Sequence, residues 1–303
     1  MNNNPPDRSH IATELRNPRS TELDRLNVAE CVSTIQNEDR SIFDALVRAK
    51  PSLVKFITDL VPRFEAGGRL IYVGAGTSGR LGVLDASEAP PTFQIDPGRI
   101  IGIIAGGESA LRRSSEGKED NPEGAITELL GLSLNGNDTL LGIAAGGTTP
   151  YVVGALQYAE AINPKPLTGF LYCTPLPDTP KVDHRILLET GPEILTGSTR
   201  MKAGTATKMA LNTISTTLMI QTGRVYQNLM VDLRATNDKL LDRAARIIMN
   251  VTDLTRVEAL ELLQRSEGSV KVAILMHYKN IDLHQALTHL ERHQGRLRRV
   301  LEE

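Results

Sequence analysis

Aromatic residues are scarce in this 303-residue sequence: they make up 4% of it, and tryptophan is absent. Proteins that bind single-stranded nucleic acid stack bases on aromatic side chains, so the composition argues against such a platform. A basic excess is lacking as well, because 34 Lys and Arg face 36 Asp and Glu, for a net charge of −2. A near-neutral chain lacks the excess of positive charge that attracts nucleic acid or an acidic membrane surface. We therefore expect neither as a partner.

Cysteine and long apolar runs are also scarce. The two cysteines, Cys31 and Cys173, stand far apart, which does not suit a disulfide framework and fits a reducing cytosol. No uninterrupted apolar run approaches the ~18 residues of a membrane-spanning helix. The first ten residues, MNNNPPDRSH, contain two prolines and no apolar segment, so we expect no secretory leader and a cytoplasmic location.

The sequence does contain enough apolar material, 40% of its residues, for a packed core in one or two domains. Five short apolar runs alternate with helix-like stretches, which is typical of a mainly parallel sheet covered on both faces. The runs are Arg69–Val73, Ile100–Ala105, Thr139–Ala145, Leu167–Cys173 and Arg185–Leu188. We expect an α/β domain over residues 60–223, an arm and helices over 1–59, and a helical region over 224–303.

Local signals predict where several helices begin. Proline is favoured in the first turn of a helix, so Pro51 predicts the start of a helix that reaches about Phe64, separate from one over 41–49. Thr255 followed by Glu258 matches a capping box and predicts another helix start in the C-terminal region.

Glycine-rich loops follow two of the predicted strands. The first, Gly74-Ala-Gly76-Thr-Ser-Gly79, comes between a strand and a helix, where its backbone N–H groups can approach a phosphate at the helix start. The same pattern also suits a dinucleotide, or a tight turn without a ligand. The hydroxyls of Thr77 and Ser78 suit the terminal oxygens of a phosphomonoester. We therefore predict Gly76, Thr77 and Ser78 as phosphate-binding residues.

The second loop, Gly146-Gly-Thr-Thr149, precedes Pro150, a residue favoured at the start of a helix. Loops at the carboxyl ends of parallel strands meet in one crevice of a doubly wound sheet. Thr148 and Thr149 therefore join the predicted binding residues, and the two loops together predict a cradle for a sugar phosphate.

Two glutamates lie near these loops in the sequence. Glu88 precedes Ala-Pro-Pro, where the first helix is expected to break up, and Glu119 lies in the segment 116–120 after the second strand. Paired carboxylates can act as general acid and base when their environments separate their pKa values. Surface glutamates are common, however, and most such pairs are solvated side chains without a chemical role.

The histidines do not predict a metal site. His289 and His293 have helical spacing, but the first lacks the following glutamate of a zincin motif, and an exposed helix face explains them better. We therefore expect no metal.

Six longer segments carry more information than the bare glycine pattern. They are TELRN (13–17), GAGTSGRLGVLDASEAPPTF (74–93), IAGGE (104–108), EGKED (116–120), TGSTRMKAGTATKMALNTIST (196–216) and NLMVDLRATNDKL (228–240). Together, and in this order over nearly the whole chain, they resemble the N-acetylmuramic acid 6-phosphate etherase family.

This resemblance implies a sugar isomerase (SIS) domain, an α/β/α sandwich with a five-stranded parallel sheet that binds phosphosugars. It also implies a homodimeric, cytoplasmic bacterial lyase that uses no metal or other cofactor. The implied reaction cleaves the D-lactyl ether of N-acetylmuramic acid 6-phosphate by elimination and water addition. The family's catalytic glutamates fall on Glu88, assigned as the acid, and Glu119, assigned as the base, although the sequence alone does not separate the two roles. Glu193 and Ser198 complete the predicted substrate-binding residues.

One loop departs from the family pattern. Where the family usually has Ser-Gly-Arg-Thr-Pro-Tyr, this sequence has Gly146-Gly-Thr-Thr-Pro-Tyr151, so Gly146 replaces a serine and Thr148 an arginine. Charge-assisted hydrogen bonds are about twice as strong as neutral ones, so this departure bears on substrate affinity.

Two other function classes stay open at this point. A non-catalytic sugar-phosphate sensor, such as the glucokinase regulatory protein, also uses SIS domains, but it has two of them and is much longer. An NAD-dependent oxidoreductase would use the first loop with Glu108 as the ribose acid. Glu108 lies about 30 residues beyond that loop, however, rather than the usual 20 or so.

Overall fold

The computed structural model describes residues 8–233 and 238–303, which form two compact units. The first unit consists of residues 8–87 and 98–214, and the second of residues 88–97, 215–233 and 238–303. Residues 1–7 of the expected arm and 234–237 of the segment NLMVDLRATNDKL lie outside the described residues. The three-part division with boundaries after residues 59 and 223 stays a prediction.

A five-stranded parallel sheet is the centre of the first unit. Its strands are β1 Leu70–Gly74, β2 Ile100–Ile104, β3 Thr139–Ile143, β4 Leu167–Tyr172 and β5 His184–Leu187. They lie in the order β2-β1-β3-β4-β5, and every neighbouring pair is parallel. The chain moves to opposite sides of β1 to form β2 and β3, so the crevice between β1 and β3 is the switch point where such sheets bind ligands. The predicted α/β class and five-stranded parallel sheet are confirmed.

Helices cover both faces of this sheet. The helices from residue 28 to residue 221 are α1 Val28–Asp39, α2 Ser41–Glu65, α3 Gly76–Phe93, α4 Ile126–Gly131, α5 Pro150–Glu160 and α6 Lys202–Gln221, and α1 is largely exposed. On one face, α4 and α5 share a core with Phe170 of β4. On the other face, a Cβ at Gly169 would stand 2.7 Å from the Phe56 ring of α2, so helix and strand are in close contact. A Cβ at Gly82 of α3 would likewise stand 2.9 Å from the Tyr72 Cβ.

α2 is one continuous helix, which corrects the predicted break before Pro51. Proline inside a helix costs ~3 kcal/mol or more, because it removes a backbone donor and crowds the preceding turn. Pro51 and Val47 are both exposed, so the missing hydrogen bond lies on the solvent side of the helix. Eight buried, mostly large apolar residues form a stripe from Ile42 to Phe64 across the proline, and their burial outweighs its cost.

The second unit is mainly helical and has a core of its own. Its elements are the antiparallel strands β6 Val225–Tyr226 and β7 Leu229–Met230 and the helices α7 Asp238–Val251, α8 Arg256–Arg265, α9 Val270–Lys279, α10 Leu283–Arg292 and α11 Leu297–Glu302. α9 is buried from Val270 to Met276 and is the centre of this core. The predicted capping box of Thr255 and Glu258 is confirmed, since both of its hydrogen bonds are present. Among the described residues, no helix has the length and apolar character needed to cross a membrane.

Candidate active site

The first glycine loop connects β1 to α3 at the carboxyl end of the sheet. β1 ends at Gly74, and α3 begins at Gly76, whose φ of +51° lies in the left-handed region that favours glycine. A Cβ at Gly79 would stand 2.7 Å from the Gly74 carbonyl oxygen, so strand and helix approach more closely than a side chain permits. Thr77 and Ser78 are partly buried in the first turn of α3, where backbone N–H groups lack helical partners. This geometry suits an anion such as a phosphate.

The start of α6 lies against this loop. A Cβ at Gly204, in the first turn of α6, would stand 3.3 Å from the methyl carbon of Thr77. Glu193 is fully buried here, and its carboxylate accepts hydrogen bonds of 3.0 Å from the Lys202 N–H and 2.9 Å from the Ala203 N–H. Burial raises the pKa of Glu193, although the two backbone donors oppose that rise. Glu193 therefore holds the first turn of α6 beside the loop.

The second glycine loop joins β3 to α5 and lies next to the N-terminal arm, of which residues 8–20 are described. Gly147 has a φ of +75°, and Thr148 is exposed. Thr149 is partly buried and directly precedes α5, but its side chain makes no capping hydrogen bond to that helix. A Cβ at Gly146 would stand 3.8 Å from the Oγ1 of the buried Thr13, so arm and loop are neighbours.

The arm also reaches the segment that precedes α6. The Thr13 carbonyl accepts a 3.1 Å hydrogen bond from the Gly197 N–H, next to the partly buried Ser198. The Oε2 of Glu14 stands 3.1 Å from the place of a Cβ at Gly197. The arm thus lies beside both the Gly146 loop and the segment of Ser198. The segment TELRN (13–17) resembles the family, but no chemical signal in the sequence marks Thr13 or Glu14 as site residues.

An ion-pair network fixes the arm to α1 and α6. Glu38, only 5% exposed, accepts hydrogen bonds of 2.9 Å from Lys202 Nζ and 2.7 Å from Asn17 Nδ2. Arg19 pairs with both oxygens of the same carboxylate. The hydrogen bonds from Arg19 and then from Lys202 and Asn17 lower the pKa of Glu38 to about 2, against the effect of burial. The first residue of α6 is therefore bound through its side chain to Glu38 of α1, which also holds the arm, and through its N–H to Glu193.

The two glutamates predicted to be catalytic belong to different units. Glu119 is partly buried in the first unit, and its carbonyl accepts a 3.0 Å hydrogen bond from the Tyr151 N–H in the first turn of α5. Glu88 is exposed in the last turns of α3, in the second unit. The structure thus places Glu119 beside the start of α5, and the catalytic roles of both glutamates stay predictions.

Cys173, which directly follows β4, is not suited to nucleophilic catalysis. The side chain is fully buried, and burial raises its pKa to about 12. A thiol with that pKa stays protonated near neutral pH, whereas catalysis requires the thiolate.

Two models of protein families match this chain. Residues 52–160 match the glucokinase regulatory protein N-terminal SIS domain, and residues 227–267 match the C-terminal lid domain of glucokinase regulatory protein. The first match includes β1 to β3 and both glycine loops, so the sheet described above is that of an SIS-type domain.

Proteins named N-acetylmuramic acid 6-phosphate etherase are similar to this chain over nearly its whole length. One from Gloeobacter violaceus is 49% identical over 98% of this chain and 97% of its own. One from Staphylococcus epidermidis is 45% identical over 97% of this chain and 99% of its own. Among solved structures, a phosphoheptose isomerase from Francisella tularensis matches 65% of this chain and 99% of its own, with 13% identity and a TM-score of 0.45.

Proposed function

The chain belongs to the N-acetylmuramic acid 6-phosphate etherase family, and we propose that it cleaves the D-lactyl ether of N-acetylmuramic acid 6-phosphate. The products are N-acetylglucosamine 6-phosphate and D-lactate, a step of amino-sugar catabolism and cell-wall recycling. The observation that carries the proposal is the 49% identity to an etherase across 98% of the chain. The helix start at the first glycine loop adds support, because it suits the phosphate of such a substrate.

The chemistry follows from the substrate. An alkoxide leaves poorly, so the ether bond at C3 needs activation. In the ring-opened sugar, C2–H lies α to the C1 aldehyde and the ether oxygen lies β to it. A base can remove the C2 proton, because the carbonyl group delocalises the resulting negative charge. The C3–O bond then breaks as the lactyl oxygen takes a proton, which releases D-lactate and leaves a C2–C3 double bond.

Water completes the reaction. Its hydroxyl group adds to C3 of the unsaturated aldehyde and a proton returns to C2, so one water is consumed in each turnover. The aldehyde serves as the electron sink throughout, and no step changes the overall oxidation state. We therefore propose a lyase that works without a cofactor.

Acid–base catalysis is assigned to the two glutamates, with Glu119 as the base and Glu88 as the acid. Their surroundings differ, since Glu119 is partly buried and Glu88 is exposed. Each positioned acid or base contributes roughly 10²–10⁴-fold to the rate.

Substrate binding is assigned to groups from three segments of the first unit. They are Gly76, Thr77, Ser78, Thr148, Thr149 and Ser198. The first turn of α3 is assigned to the phosphate, because its backbone N–H groups lack helical partners and its Thr77 and Ser78 hydroxyls can donate hydrogen bonds to phosphate oxygens. Glu193 contributes by holding the start of α6 against Thr77, since both of its oxygens accept hydrogen bonds from α6.

We further propose a cytoplasmic homodimer with no nucleic-acid or membrane partner. The outer face of α2 leaves Phe43 64% exposed and Val47 71% exposed, an apolar surface that a second copy would bury. Phosphosugars are charged and are made inside cells, which supports a cytoplasmic location. Light scattering after size-exclusion chromatography should give the mass of a dimer, and Val47→Glu should shift it toward a monomer.

A non-catalytic sugar-phosphate sensor is the second candidate, because the matched SIS model comes from a regulatory protein. Incubation with N-acetylmuramic acid 6-phosphate separates the two functions. The etherase releases one D-lactate per sugar, whereas a sensor binds the ester and leaves it intact. Unphosphorylated N-acetylmuramic acid is the matched control and should react far more slowly. Binding without lactate release would contradict the proposed function.

A further inference from the structure

The Glu119 segment, residues 115–124, is bonded to the sheet at its start and closes into a turn at its end. At its start, the Ser115 hydroxyl donates a 3.0 Å hydrogen bond to the Ala105 carbonyl, directly after β2. At its end, Asn121 closes a turn, and its carbonyl accepts a 3.1 Å hydrogen bond from an N–H three residues later. The backbone around Glu119 is therefore fixed to the sheet on one side and folded into a turn on the other.

α5 contacts this segment at three points. The Tyr151 N–H, free of helical partners in the first turn, donates the 3.0 Å hydrogen bond to the Glu119 carbonyl. The Tyr151 ring lies against Gly124, where a Cβ would stand only 2.8 Å from the ring. One turn further along α5, a Cβ at Gly154 would stand 2.6 Å from the carbonyl carbon of Pro122 and would overlap its oxygen. Helix and segment are therefore in direct backbone contact.

α5 is itself held firmly by the sheet. Val152 and Leu156 are fully buried. A Cβ at Gly142 of β3 would stand 2.8 Å from each of these two side chains, so the helix packs directly on the strand. The Glu119 segment thus packs on α5, and α5 packs on β3 in the core of the first unit.

From these contacts we infer that Tyr151 and Gly154 are positioning residues, which hold the backbone of Glu119 where its carboxylate can reach the C2 proton. The inference rests on the proposed function, since it concerns the base of that reaction. Gly154 acts by having no side chain, and Tyr151 acts through its N–H and its ring. The Tyr151 hydroxyl is buried and makes no hydrogen bond within the described residues, so we assign it no part.

Gly154→Ala tests the backbone contact. The added methyl group collides with Pro122 and must displace the Glu119 segment, and a misplacement of about 1 Å can cost about 10²-fold in rate. We expect kcat to fall by about 10²-fold while KM changes less than about threefold, with C2–H exchange and lactate release slowed in parallel. Gly131→Ala in α4 is the matched control, because a Cβ there meets nothing within 4 Å. Gly131→Ala should keep the wild-type kcat. Equal kcat values for Gly154→Ala and Gly131→Ala would overturn the inference.

Replacements of Tyr151 test the ring apart from the hydroxyl. Tyr151→Phe keeps the ring and the N–H, so it should keep the wild-type kcat. Tyr151→Leu loses the ring packing against Gly124 and should lower kcat as Gly154→Ala does. An equal fall in kcat in Tyr151→Phe and Tyr151→Leu would assign the effect to the hydroxyl and overturn the inference. The Tyr151 pair also decides the question if Gly154→Ala does not fold.

Hydrogen–deuterium exchange supplies a readout that does not depend on activity. Amides of residues 119–124 should exchange faster in Gly154→Ala than in the wild type, and should be unchanged in Gly131→Ala. Unaltered exchange in Gly154→Ala would show that α5 does not hold the segment. A wild-type protein that releases no lactate would instead refute the proposed function, and the exchange data would still decide whether α5 holds Glu119.

Discussion

Glu38→Gln should destabilise the protein by about 3–5 kcal/mol, because it breaks a buried ion pair and leaves one charge without its partner. Lys202 is 1% exposed, and its Nζ lies 2.9 Å from the Glu38 Oε2. Glutamine has nearly the same shape as glutamate, so the loss of stability comes from the missing charge and not from a cavity. Adding Lys202→Met removes the unpaired buried charge and should recover part of the loss, since most of the cost of breaking a buried pair is the charge that stays buried without a partner.

The same carboxylate predicts a pH dependence. Its neighbours, first among them Arg19, lower the pKa of Glu38 to about 2, from an ordinary value of 4.5. A carboxyl group whose pKa falls on folding stabilises the protein fully above its unfolded pKa, and this stabilisation is lost as the pH falls from 4.5 toward 2. At ~1.4 kcal/mol per pKa unit, the contribution is about 3–4 kcal/mol.

Urea denaturation followed by circular dichroism, at pH 7 and at steps below pH 4.5, measures both effects. Glu302→Gln is the control, because that carboxylate is 65% exposed in its pair with Arg298 and should contribute less than about 1 kcal/mol. The wild type should lose more stability than Glu38→Gln below pH 4.5. A destabilisation of less than about 1 kcal/mol by Glu38→Gln would refute the role given to this network. Equal losses of stability by the wild type and by Glu38→Gln below pH 4.5 would refute it as well.

Three further predictions concern the site and α2. Thr77→Ala with Ser78→Ala should raise KM at least about tenfold through lost phosphate hydrogen bonds, and equal turnover of the unphosphorylated sugar would contradict that assignment. Glu119→Gln should stop both C2–H exchange and lactate release, whereas Glu88→Gln should keep some exchange while losing lactate release. NMR follows the exchange and the release of lactate, and the opposite pattern would reverse the two roles. Pro51→Ala should raise the free energy of unfolding by about 1–2 kcal/mol by restoring a backbone donor to α2, and an unchanged urea midpoint would contradict this explanation of the helix.

The strands of the sheet could be predicted closely from the sequence. The second strand was expected over 100–105 and is Ile100–Ile104, and the third was expected over 139–145 and is Thr139–Ile143. Buried parallel strands are apolar along their whole length, and glycines end them, so the signal is local. The helix start predicted at Pro51 is wrong because the local signal is ambiguous: proline suits the first turn of a helix, and only packing along the whole of α2 selects the interior position.

Long-range contacts at the site could not be predicted in this way. Glu38 and Lys202 are 164 residues apart, and each resembles an ordinary charged residue of a helix in its own segment. Glu193 likewise shows its role only when α6 is folded beside it. Glu88 and Glu119 stand out only through the resemblance to the family, because a carboxylate pattern alone does not distinguish a catalytic group from a solvated one.

The decisive measurement is the position of solvent label in the products when the reaction runs in D₂O containing ¹⁸O-water. Elimination followed by addition predicts N-acetylglucosamine 6-phosphate with deuterium at C2 and ¹⁸O at C3, together with D-lactate that carries no ¹⁸O at its hydroxyl group. Mass spectrometry and NMR locate each label. ¹⁸O in the lactate hydroxyl group, with no deuterium at C2 of the sugar, would mean direct displacement and would contradict the proposed mechanism.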